Sequence, residues 1–236
     1  MGDTATAGAG PYAFEDSGLK AARSSAYENA RPAIQRRVPG DVRRVLDLGC
    51  SSGAVGAAVR SRTGAEVVGI EVDEEYARRS EERLSRVFVA DIEELAGRAD
   101  LASELGKFDC LIAGDVLEHT RDPWTCLRRF SSLLASGGTA IVSLPNVRFW
   151  ETFWQLGWRG DWPRRSEGIF DRDHLRWFTV PTGLELVEQA GLRPFAVDPY
   201  YRISPSSARG DRLAAYLGHT PLRAFFVFQF VIVARR

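Results

Sequence analysis

Two rhythms of apolar and polar positions alternate along this chain. Apolar runs at residues 45–48, 65–70, 86–90, 108–113 and 139–144 have the pattern of strands buried on both faces, as in a parallel sheet. Between them, stretches at 54–62, 74–84 and 123–135 carry helical signals, and another helix begins near Ile92. Asp73 and Asp122 stand where N-caps belong, and Pro123 occupies a first helical position. Gly64 and the pair Gly137-Gly138 mark stops. After Thr179 a helix runs through 184–190 to Gly191, followed by a sixth strand at 193–201 and a last at 225–234. Residues 17–38 predict one or two helices broken at Pro32, and a short helix is expected at 212–217. Strand alternating with helix predicts a Rossmann-like, doubly wound α/β fold with helices on both faces of a mostly parallel sheet.

The chemistry gathers at the carboxyl ends of these strands. The first strand breaks at Gly49, and the small residues Gly49, Ser51 and Gly53 let the backbone approach a ligand while the opening helix keeps its N–H groups available. A dinucleotide loop needs a third glycine and welcomes a pyrophosphate; here the middle position is Ser51, and Asp47 precedes the turn. A carboxylate at that mouth suits a cationic ligand. The second strand ends at Glu71, about 20 residues beyond the glycine turn, where a carboxylate can accept two hydrogen bonds from a ribose diol. Asp73 competes for that role but is better placed as a cap. The third strand ends at Asp91, which can equally cap the helix beginning at Ile92. Three acidic strand ends in succession describe a pocket.

Residues 45–53, VLDLGCSSG, resemble the first motif of class I S-adenosylmethionine (SAM)-dependent methyltransferases, in the small-molecule and ubiquinone-type branch where it reads VLDLGCGTG. The departures fall at Ser51 and Ser52. The resemblance extends motif by motif over about residues 42–145 and more loosely beyond. It implies a seven-stranded sheet with an antiparallel last strand. It also implies SAM held by Asp47, Gly49, Cys50, Ser51 and Gly53, by Glu71 and Val72, by Asp91 and Ile92 at the adenine, and by Asp115 and Val116 beside the methionine part. Residues 143–146, SLPN, follow the family pattern at the fifth strand's exit.

Residues 147–178 change character. Five of the six tryptophans fall there, at Trp150, Trp154, Trp158, Trp162 and Trp177, interleaved with arginines. The segment is either a second small core or, as we read it, a lid over the acceptor, because it emerges where open α/β sheets bind ligands. Asn146, Trp150, Trp154, Arg176 and Trp177 are the candidate acceptor contacts. The search for a general base is short, since the chain has three histidines. His174, within a stretch resembling the family's DHLRFFT, and His119, after Glu118, are the candidates; each can equally be a structural histidine. His219 is the weakest. Methyl transfer to oxygen is expected first and to nitrogen second, with carbon open. A non-catalytic cofactor-binding partner protein is the alternative of another class, and a nicotinamide oxidoreductase fits the loop poorly.

Composition trims the remaining options. With 236 residues and 44% hydrophobic content the chain can form one large core, so residues 1–236 are expected as one domain. Within it, 1–16 reads as a tail, 17–40 as the helices that the family resemblance implies as a cover over the cofactor, and 147–178 as the lid; Tyr12, Phe14 and Tyr27 are candidate lid contacts or, equally, simple packing residues. Lys plus Arg and Asp plus Glu both number 31, so no global charge favours nucleic acid or an anionic membrane. The apolar run 224–234 is about half of the ~20 residues a spanning helix needs. No secretory signal is evident, and Cys50, Cys110 and Cys126 read as reduced thiols of a cytoplasmic protein. No His/carboxylate spacing demands a metal, and the expected partner is a small-molecule acceptor, with the protein a monomer or homodimer.

Overall fold

The computed structural model describes residue 28, residues 30–202 and residues 222–236. Seven strands form one sheet in the order β3-β2-β1-β4-β5-β7-β6. They are β1 (Arg44–Leu48), β2 (Glu66–Glu71), β3 (Arg86–Val89), β4 (Phe108–Gly114), β5 (Leu134–Pro145), β6 (Arg193–Tyr201) and β7 (Val227–Arg235). All neighbouring pairs among β1 to β5 are parallel, while β7 runs antiparallel to both β5 and β6. The expected antiparallel last strand is therefore present, inserted one place in from the edge.

Alternation along β1 explains both layers and the site. Leu46 and Leu48 face one core with Leu111, Val142 and Phe130; Val45 faces the other with Val67, Ile112 and Val59. Asp47 shares the second face, one pleat beyond Val45, and so meets helix α2 (Ala54–Thr63) at its start. Helix α1 (Pro32–Gln35) packs on that face through Ile34 and begins with Pro32, so the proline opens a helix where an interruption was expected. The rest of the expected helical cover, with Tyr12, Phe14 and Tyr27, lies outside the described residues, as do the tail, the short helix at 212–217 and His219.

The other connections hold close to expectation. Helices α3 (Glu74–Glu81) and α4 (Ile92–Gly97) follow caps at Asp73 and Asp91, and a further helix, α5 (Leu101–Leu105), precedes β4. Helix α6 (Pro123–Ser131) is shorter than predicted. The residues assigned to its end and stop belong to β5, which begins at Leu134 and carries Gly137-Gly138 through a register irregularity against β4. Gly137 sits at φ 77°, so its left-handed backbone bulges a strand here and does not end a helix. At the other end of the sheet, a helical turn at Arg223–Phe226 delays β7 to Val227.

Candidate active site

The glycine turn is built by close approach. Gly49 has φ 63°, and a Cβ there would lie 2.6 Å from the Val116 side chain, so only glycine lets the β1 turn and the segment after β4 touch. Ser51 also takes a left-handed φ, 51°, in the place where a glycine is usual in the family it resembles. Its N–H donates to Glu71 Oε2 at 2.8 Å, and Asp73 N–H donates to Oε1 at 3.0 Å. Glu71 thus clasps the loop after β1 to the end of β2. Asp73 caps α3 by accepting from Glu75 and Tyr76 N–H, as the sequence predicted. Asp91 accepts from Glu93 N–H at 2.7 Å, so it serves as the cap of α4 at the third acidic strand end. Beside these carboxylates Val72 is half exposed, while Cys50 and Ile92 are buried.

Asp47 is 3% exposed, and its Oδ2 has no hydrogen-bond partner among the described residues. Burial pushes its carboxyl up to about 7, against a lowering influence from Arg31 and with Glu71 adding repulsion. Burial also raises Glu71, in spite of the backbone amides of Asp73, Ser51 and Val72 on it. Burial deprives both carboxylates of solvation in their charged form, so a cation beside them favours that form. A sulfonium or ammonium group between them would restore their charge. SAM carries both, and the residues here fit it: an orphaned buried oxygen and a second carboxylate lie around a turn that excludes side chains.

Asp115, expected beside the methionine part of SAM, is tied into the fold by a polar network. At φ 55°, it accepts from Ser143 Oγ at 2.7 Å, from Gln229 Nε2 at 2.6 Å and from Arg31 in an ion pair. The carboxylate is the hub of a polar network joining the N-terminal segment to β4, β5 and β7. Sequence reasoning missed Arg31, Ser143 and Gln229; Gln229 had a signal, being the one polar residue within the apolar run 224–234.

Past Val116, a single 3₁₀ turn (Leu117–His119) brings Glu118 and His119 against the aromatic segment. The Glu118 carbonyl accepts from Leu175 N–H at 2.9 Å and Arg176 N–H at 3.0 Å. The His119 and His174 rings meet edge to face with centroids 4.7 Å apart. Glu118 is 1% exposed, and burial raises its carboxyl well above the usual range. His174 is buried as well, and burial with His119 beside it lowers its ring to about 4. At neutral pH His174 is an uncharged imidazole and a weak base.

The aromatic segment contains the second small core that was one of its two expected forms. Phe149, Ile169 and Phe170 form a small core with Trp150, Trp162 and Phe228 packed on it. Its outer part, a helical turn at Trp150–Thr152 widening into a π-helix at Phe153–Trp158, leaves Phe153, Trp154, Leu156 and Trp158 exposed. Trp154 stacks on Trp158, and Trp177 meets Trp162 edge to face. Two candidate acceptor contacts also make hydrogen bonds within the fold. Asn146 is buried, donates to the Val227 and Ala224 carbonyls and accepts from Arg148 N–H, so it ties the exit of β5 to the start of β7. Arg176 donates to the carbonyls of Arg121 and Leu175. The cysteines are buried and free; burial holds Cys126 up at about 12, as an inert thiol.

Acidic strand ends around a glycine turn, on a sheet with its seventh strand inserted antiparallel, define a Rossmann-like methyltransferase fold. A SAM-dependent methyltransferase from Mesorhizobium loti shares it with a TM-score of 0.61 at 22% identity, over 88% of this chain and 98% of that one. The 1,6-didemethyltoxoflavin-N1-methyltransferase of Burkholderia thailandensis does so with a TM-score of 0.55 at 21% identity, over 92% and 87%. In sequence, the ubiquinone biosynthesis O-methyltransferase of Ralstonia nicotianae is 34% identical over 111 residues, 47% of this chain and 46% of that protein. Its counterpart in Cupriavidus pinatubonensis is 27% identical over 172 residues, 69% of this chain and 68% of that protein. The match to the Ralstonia relative thus spans less than half of that protein's length. A family profile described as a methyltransferase domain matches residues 22–196. The chain belongs to that methyltransferase-domain family, whose methyl donor is SAM. Among the described residues no helix is long and apolar enough to cross a membrane.

Proposed function

We propose that this chain methylates an oxygen of a small-molecule acceptor, with SAM as donor. The observation that carries this reading is Asp47, a buried carboxylate with an unpartnered oxygen beside a turn closed to side chains. The likeness to ubiquinone biosynthesis O-methyltransferases supports oxygen as the attacked atom and a small molecule as its bearer. When bound, SAM supplies an electrophilic methyl group on a sulfonium. Asp47 supplies the negative charge that favours the cationic donor, and Glu71 accepts from the ribose diol and holds the loop of residues 49–53 in register. The loop of Val116 to His119 faces the acceptor side, and Trp150 and Trp177 line the approach. Alignment of the acceptor by these walls supplies several kcal/mol of the barrier. Exclusion of water by the aromatic segment disfavours hydrolysis.

Calorimetric titration of the purified chain with SAM, S-adenosylhomocysteine and NADH tests this reading. Micromolar binding of the first two, lost in Asp47→Ala and weakened in Glu71→Ala, is the expected result. Absence of binding by both would reduce the glycine turn to a structural one and end the methyl-transfer reading.

A further inference from the structure

Glu118 and His119 follow β4, and His174 comes from the far end of the aromatic segment, yet one ligand atom of each lies within 4.8 Å of the others. The Glu118 carbonyl, bonded to the N–H groups of Leu175 and Arg176, staples the two segments together and fixes this meeting. The carboxylate itself is poorly accommodated. Its Oε2 has no hydrogen-bond partner among the described residues, and its Oε1 stands 3.9 Å from His174 Nε2, beyond hydrogen-bond reach. Asp115 and Asp171 add negative potential at the same place, offset in part by Arg31.

Both imidazoles are oriented alike. His119 Nδ1 is 3.2 Å from the Asp173 carbonyl, and His174 Nδ1 is 3.4 Å from the Ile169 carbonyl. A carbonyl only accepts, so each ring carries a proton on Nδ1, and Nε2 is the nitrogen through which it can ligate a metal. A backbone carbonyl on one ring nitrogen, leaving the other as donor atom, is the arrangement that fixes metal-binding histidines. An orphaned buried carboxylate and imidazole nitrogens oriented in this way form the two-histidine, one-carboxylate set used by zinc and ferrous sites with an open coordination position.

We propose that Glu118, His119 and His174 bind a divalent first-row transition ion of the imidazole-preferring kind, with its open position turned to the acceptor. Two imidazoles disfavour magnesium, which takes oxygen ligands and keeps its water. Zinc draws ligand nitrogens to about 2.0–2.1 Å, so binding pulls the three groups inward by about 1 Å. His119, on a half-buried turn, supplies most of that movement. The role of the ion rests on the methyl-transfer reading: an acceptor hydroxyl oxygen coordinates at the open position, its O–H bond breaks, and the proton leaves to solvent water. The site itself stands on geometry alone.

The full chain, stripped with a chelator, is titrated with cobalt(II) and followed by visible d–d absorption, then with zinc in competition. One equivalent of cobalt should develop a band that zinc abolishes. Glu118→Gln, His174→Gln and His119→Gln should each weaken binding at least about tenfold, and zinc should raise the Tm of the parent chain only. The His119 variant, at the least buried of the three positions, guards against loss of fold. S-adenosylhomocysteine binding is measured on the same samples. No cobalt band at one equivalent, or a band that survives all three substitutions, overturns the site, and retained S-adenosylhomocysteine binding then leaves the methyl-transfer reading standing. A metal site without S-adenosylhomocysteine binding overturns the acceptor role and that reading, and supports the site alone.

Discussion

Asp47 concentrates the physics of the pocket in one side chain. Its folded carboxyl is raised to about 7 by burial, whereas an ordinary aspartate in an unfolded chain titrates near ~3.9. The folded state therefore holds a proton that the unfolded chain has released, and stability declines as pH rises from about 4 to 7, by on the order of 4 kcal/mol from this group. His174 acts in the opposite direction. Its ring is lowered to about 4, so its contribution is present above the unfolded value of ~6.5 and is lost as pH falls toward 4. The two slopes oppose each other below about pH 6.5, so the Asp47 effect is best isolated by difference. In urea unfolding from pH 5 to 8, Asp47→Asn should gain stability relative to the parent chain, with the gain growing as pH rises. A difference that stays constant with pH would show that Asp47 is ionised throughout.

At the scale of single elements, the aromatic segment divides into positions that hold it and positions that do not. Phe170 is fully buried beneath Trp162, so Phe170→Ala should cost about 3–5 kcal/mol and lower the urea midpoint. Trp158 is 78% exposed, and Trp158→Ala should move stability by less than about 0.5 kcal/mol. Equal losses for both would mean that the π-helical turn packs as core. The sequence could not sort these residues, because aromatics interleaved with arginines carry no period that separates an inner face from an outer one. Strands were more legible: β1, β2 and β4 are continuous apolar runs, and Asp73, Asp91 and Asp122 cap helices where Asp is favoured. The misreading of Gly137-Gly138 as a helix stop has a physical reason. A glycine pair offers the same left-handed backbone to a helix end and to a strand bulge, and only the pairing with β4 decides between them.

Across the whole molecule, the legible part of the site was the part that lies along single strands. Asp47, Glu71 and Asp91 could be placed from strand ends alone. The partnerships could not. Arg31 and Gln229 converge on Asp115 from distant parts of the chain, and Glu118 meets His174 only because a backbone staple joins two loops. Pairings over such separations leave no local periodicity, so nothing in the sequence marks Glu118 as a partner for His174.

The position of β7 has a consequence for how the chain is made. Of the seven strands, β7 is made after the other six yet is seated between β5 and β6, so until it arrives β5 has an open edge and β6 has no neighbour in the sheet. A nascent chain halted before Val227 therefore displays the apolar edge of residues 139–145 to its surroundings, a template for pairing with another chain. In a stalled-translation series, protease resistance of β4 and β5 should appear only once residue 235 has cleared the exit tunnel, and shorter chains should recruit chaperones. Resistance gained before β7 emerges would mean that the first five strands close without it.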